Sequence, residues 1–441
     1  MNTIAVFVEK ITPRKKFIIN HILKNILKYE CLLISEENIF RLFNGPRINY
    51  SMNRITNNEL HIIPSGLLDE NNIHPLNVEI SEHNNIKIFF RNNNGDLCFD
   101  IFSASFFLIT RYEEYYDNAI KDEFGRYDYK NSIAFKNNFL QVPIIEIWCN
   151  MLVDSLKSKF PYLEINQFSE EKYIFTFDVD NAYAFKFKGI LKNLGATLKS
   201  ILRKDFIMAF ERYPVIFKLE KDPYDTYDYI NQFKDKYEFD SVFFFLLRNK
   251  GKYDRAISAS RIEIRKLIEN ISKKHSIGLH TSVYASDDLF KIVQEKSLLE
   301  DIIERKVTSN RFHYLKFSLP FSYRILIEAG ILFDYSMGYH NITGFRAGTS
   351  IPFKFYDLHN DLETQLTVVP FSVMDITLLK YMKLDPQHSI KVMQKLIKVT
   401  LKNGGKFIPI WHNEFLSDFH IYRNWKIVFE EIIEFINNID E

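Results

Sequence analysis

The run Tyr-Ile-Phe-Thr-Phe-Asp-Val-Asp at residues 173–180 constrains this chain more than any other stretch. Its aromatic and β-branched residues show no helical period and read as a buried β-strand. The strand nevertheless ends on two carboxylates, Asp178 and Asp180, which share one face because strand side chains alternate. Carboxylates are seldom placed at the tip of a core strand unless they are paired or bind a metal. The plainer reading is an Asp pair capping the following turn, a role this residue fills well.

From residue 173 onward, strand-like runs alternate with helical ones. Strands are expected at 173–180, 239–247, 276–282, 311–318, 331–337, 366–375 and 406–413. Between some of them lie amphipathic segments: residues 261–275 carry Ile264, Leu267, Ile268 and Ile271 at helical spacing, and 287–306 and 389–402 are similar. Alternating β and α predicts a parallel sheet. The number of units predicts an α/β fold of the distorted (β/α)7-type barrel, with an open doubly wound sheet as the alternative. Residues 1–165 have another texture, short apolar runs broken by Asn-rich turns such as Asn92-Asn-Asn-Gly95. They predict a smaller accessory α+β domain in front of a barrel domain at 170–441.

Composition narrows the function. Lys+Arg 57 against Asp+Glu 56 leaves a net charge of +1, no footprint for nucleic acid. Three scattered cysteines, Cys31, Cys98 and Cys149, fit neither a disulfide framework nor a metal-ligand spacing. No apolar run approaches the ~20 residues of a membrane span, and the first ten residues lack a signal-peptide pattern. A cytoplasmic protein is expected. Residues 186–221 are basic and amphipathic, with Lys186, Lys188, Lys192, Lys199, Arg203 and Lys204 among Ile, Leu and Phe. They read as a solvated helical insertion or as a peripheral contact with the inner face of the membrane.

Three histidines fall at the C-terminal ends of expected strands: His280, His313 and His412. In a parallel barrel those ends share one rim with Asp178 and Asp180. Imidazole and carboxylate oxygen are the usual ligands of a catalytic zinc. Such an ion polarises a carbonyl and activates water, while a carboxylate and an imidazole can serve as base and acid.

With these residues in place, the region of about 170–415 resembles the polysaccharide deacetylase (NodB-homology, carbohydrate esterase family 4) superfamily. Thr176-Phe-Asp-Val-Asp180 resembles its first motif, in which the first Asp is the general base and the second binds metal. Ser276-Ile-Gly-Leu-His280-Thr281 resembles the second motif, whose histidines complete the metal triad. Arg311-Phe-His-Tyr314 resembles the third, Arg-x-Pro-Tyr, which lines the groove and offers a backbone N–H to the oxyanion. Ile410-Trp-His412 resembles the last, whose His is the catalytic acid. More narrowly, Arg111-Tyr-Glu-Glu-Tyr, Asp334-Tyr-Ser-Met-Gly-Tyr and Gly344-Phe-Arg-Ala-Gly-Thr-Ser resemble a bacterial branch with its own N-terminal domain.

The resemblance implies a metal-dependent deacetylase of an acylated glycan or lipid-linked sugar, with Asp178 as base, His412 as acid and the Tyr314 amide at the oxyanion. Two departures bear on it. Tyr284 stands where the second histidine of His-x-x-x-His is expected, and His313 stands at the Pro position of the third motif. His313 can supply the missing ligand, which makes Asp180, His280 and His313 the expected set for zinc or another divalent ion. The competing reading is a silent relative that only binds a glycan. Arg311 is expected to pair with Asp178. Asp375 is expected to orient His412 or to cap the following helix. Arg346 is placed at the rim or in a structural ion pair, and Trp411 and Tyr339 either stack on a sugar ring or, as most aromatics in a chain this rich in them do, join the core.

Overall fold

The computed structural model describes residues 3–164, 172–248 and 251–439. The expected junction at 165–170 falls almost wholly outside the described residues, as does the chain end at 441. The fold is mixed α/β with two sheets of mainly parallel strands and one hairpin.

The N-terminal part is built on β1 (Thr3–Val8), β2 (Glu30–Ile34), β3 (Arg47–Tyr50) and β4 (Leu60–Ile62). They pair in the order β2-β1-β3-β4, every pair parallel. This corrects the α+β expectation: strands this short, in polar surroundings, carry too little pattern to reveal a parallel sheet. A hairpin of β5 (Ile80–His83) and β6 (Ile86–Phe89) follows. Its turn residues Asn84 and Asn85 both have positive φ, as a tight hairpin turn requires.

The larger sheet holds β7 (Ile174–Val179), β8 (Asp240–Phe245), β9 (Ser276–Thr281), β10 (Ser309–Phe312), β11 (Phe333–Asp334), β12 (Phe353–Asp357), β13 (Leu362–Val368), β14 (Val373–Met374) and β15 (Pro409–His412). The order is β12-β13-β11-β10-β9-β8-β7-β15-β14, with only the edge strand β12 antiparallel. The ladder has two ends, so among the described residues no strand pairing closes it into a barrel. It curls instead. Val242 and Phe244 of β8 share one apolar cluster with Tyr335, Phe371, Met374, Ile408 and Ile410, side chains from strands that are not all neighbours.

Three expected strands came out much shorter or divided, and 331–337 keeps only Phe333–Asp334 in the sheet. The 366–375 stretch splits between β13 and β14, because Pro370 cannot donate to a ladder. The 311–318 stretch leaves the sheet after Phe312 and turns through Tyr314 and Leu315, both at positive φ.

Alternation along the strands sorts side chains between the helical layer and the concave face. On β7, Phe175 and Phe177 pack on Phe239 and Phe243 at 4.9 and 4.7 Å and on Phe429 of the covering helix Trp425–Asn438. Thr176 and Asp178 face the other way, where the Arg311 guanidinium meets both. Gly278 on β9 is required by packing: a Cβ there would lie 2.4 Å from the Phe244 ring. That ring in turn carries the Arg311 guanidinium at 4.5 Å. The N-terminal part packs on the far edge of the sheet, where Phe17 and Phe106 meet Tyr356 of β12. No helix of the described residues is long and apolar enough to cross a membrane.

Candidate active site

Parallel register brings the expected residues to one edge of the sheet. His412 pairs with Asp178 across β15 and β7, and Arg311 pairs with His280 across β10 and β9. Asp180 and His313 follow directly on β7 and β10. They surround a cavity of about 280 Å³.

Asp180, His280 and His313 each direct one ligand atom into a space where these atoms all lie within 4.8 Å of one another. His280 Nε2 is 3.2 Å from Asp180 Oδ1, and His313 Nε2 is 3.3 Å from Asp180 Oδ2. The far nitrogens are already committed. His280 Nδ1 lies 2.9 Å from the Arg311 carbonyl, which can only accept, so Nδ1 carries the hydrogen. His313 Nδ1 lies 2.8 Å from the Asp254 carboxylate. Each Nε2 then faces an Asp180 oxygen, an approach that is favourable only when a cation or a proton lies between them. Asp180 Oδ1 is buried without a hydrogen-bond partner. These are the marks of a donor set that fits a divalent ion, with histidines oriented from behind as metal ligands usually are. Burial opposes ionisation of Asp180, yet the His313 and His280 imidazoles hold its carboxyl well below the usual range. Burial would lower His313, but Asp180 and Asp254 lift it to about 9.

The remaining chemistry stands on either side. Asp178 Oδ1 accepts from Arg311 Nη1 at 2.7 Å, and its Oδ2 lies 3.7 Å from His280 Nε2. His412 Nδ1 lies 2.7 Å from Asp375 Oδ1, and its backbone N–H donates to Asp375 Oδ2 at 2.6 Å. Asp375 also accepts from the Ile376 N–H, so it both orients the imidazole and starts the next turn. Against the effect of burial, Asp375 keeps His412 protonated well above the ordinary imidazole range. His412 Nε2 sits 4.0 Å from Asp180 Oδ2.

Known proteins touch this picture in two places. A family of unknown function, DUF7033, matches residues 4–161. No curated protein matches the chain. Among solved structures, the chain is similar to a Mycobacterium smegmatis protein assigned as a polysaccharide deacetylase, at 14% identity and TM-score 0.40 over 62% of this chain and 86% of that one. It is also similar to a polysaccharide deacetylase from Bacillus cereus, at 10% identity and TM-score 0.28 over 62% and 89%. A third is a carbohydrate esterase family 4 pseudoenzyme from Bacillus anthracis, at 10% identity and TM-score 0.29 over 59% and 61%. The reading of the site rests on its own geometry.

Of the two readings open for Trp411, Tyr339 and Arg346, the structural one holds for all three. Trp411 is buried and packs edge-on to Phe429 at 5.3 Å, because β15 turns residue 411 toward the helices when it turns 412 toward the cavity. Arg346 is buried in a two-pronged pair with Glu114, Nε to Oε1 at 2.9 Å and Nη2 to Oε2 at 2.6 Å. Tyr339 is buried beside that pair, its hydroxyl 3.4 Å from Arg111 Nη2. None of the three lines the cavity. Tyr284 does not fill a ligand position either: its ring is 44% exposed, with Lys291 Nζ 4.2 Å from its centre.

Several residues of the site escaped the sequence reading. Asp254 lies in the loop after β8, accepts from the Val283 and Tyr284 N–H groups at 2.9 Å, and anchors His313. No pattern in Lys252-Tyr-Asp254 announces it. Glu414 lines the cavity two residues beyond His412, where burial lifts its carboxyl to about 7 and Tyr422 donates to Oε1. The N-terminal part contributes residues 121–127, closed by a bridge between Lys121 and Tyr127. From it Arg126 donates to the Tyr314 carbonyl at 2.7 Å and lines the cavity, while Phe124 stacks on the half-exposed Tyr314 ring at 5.4 Å.

Proposed function

We propose that this protein is a metal-dependent hydrolase that removes an acyl group, foremost N-acetyl, from a sugar of a glycan. One observation carries the reading: a two-histidine, one-carboxylate set with its outer nitrogens committed, flanked by a charge-paired carboxylate and an Asp-oriented imidazole around one cavity.

Asp180, His280 and His313 are the residues to hold a divalent ion, and their chemistry suits zinc. Bound there, such an ion supplies polarisation of the acyl carbonyl and a lowered pKa for the attacking water. Asp178, paired to Arg311, takes the proton from that water. His412, kept protonated by Asp375, gives a proton to the departing amine nitrogen. The Tyr314 backbone N–H is the proposed donor to the oxyanion. Its ring, backed by Phe124, is the proposed surface for a sugar face. Arg311, Asp375 and Asp254 act as positioning residues.

The test is metal analysis of purified protein together with acetate release from N-acetylated oligosaccharides. The expected result is one divalent ion per chain, lost in His280→Ala and His313→Ala, and acetate release that depends on it. Protein with no bound divalent ion, or His313→Ala with its full complement, overturns the ligand set. Metal-loaded protein that releases acetate from no acylated glycan points instead to a pocket that binds sugars without cleaving them.

A further inference from the structure

The segment between β7 and the helix Tyr227–Tyr237 contains a helix that is inside out. In Ile190–Leu202 the buried positions are Asn193 and Thr197, while Leu191, Leu194, Leu198 and Leu202 are 85%, 52%, 61% and 76% exposed. An ordinary surface helix does the reverse. The apolar stripe continues beyond that helix through Phe206, Ile207, Phe210, Phe217 and Leu219, all at least half exposed.

This orientation is held by specific bonds. Asn193 Nδ2 donates to the Phe185 carbonyl at 3.2 Å, and the Tyr213 hydroxyl donates to Thr197 at 3.2 Å. The buried Arg212 guanidinium donates to the Asn193 carbonyl at 3.1 Å and to the Met208 carbonyl. At the base of the segment, Asp222 accepts from the backbone N–H groups of Ala184, Phe185 and Lys186. Turning the leucines inward would break this polar seam, so the stripe faces outward by construction. A contiguous exposed apolar surface marks a contact with something apolar.

Charge says what that is. Residues 186–204 carry Lys186, Lys188, Lys192, Lys199, Arg203 and Lys204 and no Asp or Glu. Farther along, Asp205 is paired with His420 at 3.2 Å, and Glu211 and Glu220 are the carboxylates that interrupt the surface. The occupant is therefore apolar inside and negative outside. A second copy of this chain, at net charge +1, offers no negative field to match. We infer that residues 190–219 form a docking surface for an anionic lipid bilayer, the leucine and phenylalanine side chains entering the acyl boundary and the lysines meeting the headgroups.

The surface adjoins the cavity. Asn413 Nδ2 donates to the carbonyls of Asn181 and Tyr224, one at each root of the segment, and Asn181 and Glu414 line the cavity. Docking would hold the cavity close to the bilayer. Taken with the proposed hydrolysis, this makes the substrate a glycan anchored in the membrane.

Co-sedimentation of the full chain with vesicles tests the inference without any assay of catalysis. Phosphatidylcholine vesicles containing about 30% phosphatidylglycerol should bind it roughly tenfold more strongly than pure phosphatidylcholine. Added salt should weaken that binding. Leu191→Gln with Leu198→Gln should abolish it with an unchanged thermal melt, since both side chains are exposed, and Lys192→Gln with Lys199→Gln should weaken it. As a second readout, the emission of Leu198→Trp should shift to the blue on adding the anionic vesicles. Absence of both binding and shift overturns the inference, as does a Leu191→Gln/Leu198→Gln protein that binds like wild type. So does a lipid-free dimer that the leucine variant dissolves, which would make a second copy the occupant. Acetate release from a soluble N-acetylated oligosaccharide is measured separately, so failure of one reading is distinguishable from failure of the other.

Discussion

Two buried clusters of charge in this molecule are built from similar residues and do opposite things. In the first, Arg111 and Arg346 meet Glu113 and Glu114, with all four contacts between 2.6 and 2.9 Å. Two guanidiniums face two carboxylates; the Arg346 and Arg111 charges pull Glu114 down to about 2 against the effect of burial, while burial raises Glu113. In the second, Asp178 is paired with the Arg311 guanidinium, while Asp180, Asp254 and Asp375 meet the imidazoles of His280, His313 and His412. The first cluster is closed and ties the N-terminal part to the Gly344-Phe-Arg loop. The second opens on a cavity, and its carboxylates lean on imidazoles that can give up their charge. A buried charge matched on the spot stabilises one arrangement; a buried charge left unmatched beside a cavity is prepared for a ligand. Glu146 shows a third solution. Its partners are neutral, the Ser350 N–H and hydroxyl among them, and burial lifts it to about 7, so it tends to protonate instead.

The largest effect should come from the open cluster. Asp178→Asn is expected to lower kcat by about 10²–10⁴ while the protein keeps its metal, the loss of a general base rather than of a ligand; metal content and single-turnover rates separate the two. Next, Glu114→Gln should cost about 3–5 kcal/mol of stability because it strands buried guanidinium charge. Denaturant titration measures this, and metal content of the folded fraction should not change. If Glu114→Gln removed the metal, the clusters would not be separable as argued. A smaller effect is expected from Asp254→Asn, about 10–100-fold in metal affinity, read by competition with a chelator, since Asp254 only orients His313.

The last, read per pH unit, concerns Glu146. Its folded pKa lies above the ordinary carboxyl value of 4.5, so its contribution to stability is full below about 4.5 and lost as pH rises through about 7. Wild type should therefore lose stability across that window at up to about 1.4 kcal/mol per pH unit from this group. Glu146→Gln should flatten the loss, and equal slopes in the two proteins would show that Glu146 does not titrate there.

Much of the open cluster was readable because of where its residues fall. Asp178, Asp180, His280 and His412 sit at strand tips, and in a parallel sheet all such tips lie on one edge. His313 was legible only as a departure from a motif, and its value as a ligand depended on the neighbouring strand. Asp254 was invisible because a loop carries no periodicity, and only backbone donors from residues 283 and 284 fix its place. Trp411, Tyr339 and Arg346 carried two readings each for another reason: chemistry suitable for sugars is equally suitable for a core, and which face a side chain takes is decided by packing partners far along the chain. The stripe at 191–202 was legible as amphipathic, but not that its apolar side points outward.

By itself the sequence determined the parallel β/α rhythm from residue 173 onward and the residue types gathered along its strand tips, because alternation and strand period are local properties of the chain. The tertiary structure decided that the sheet curls without closing its ladder among the described residues, that Asp254 stands behind His313, that Arg126 of the N-terminal part lines the cavity, and that one buried charge cluster is closed while the other is open. Those outcomes depend on contacts between residues tens to hundreds of positions apart, and no local pattern encodes which of two chemically equal carboxylates will meet an arginine and which will face an empty space.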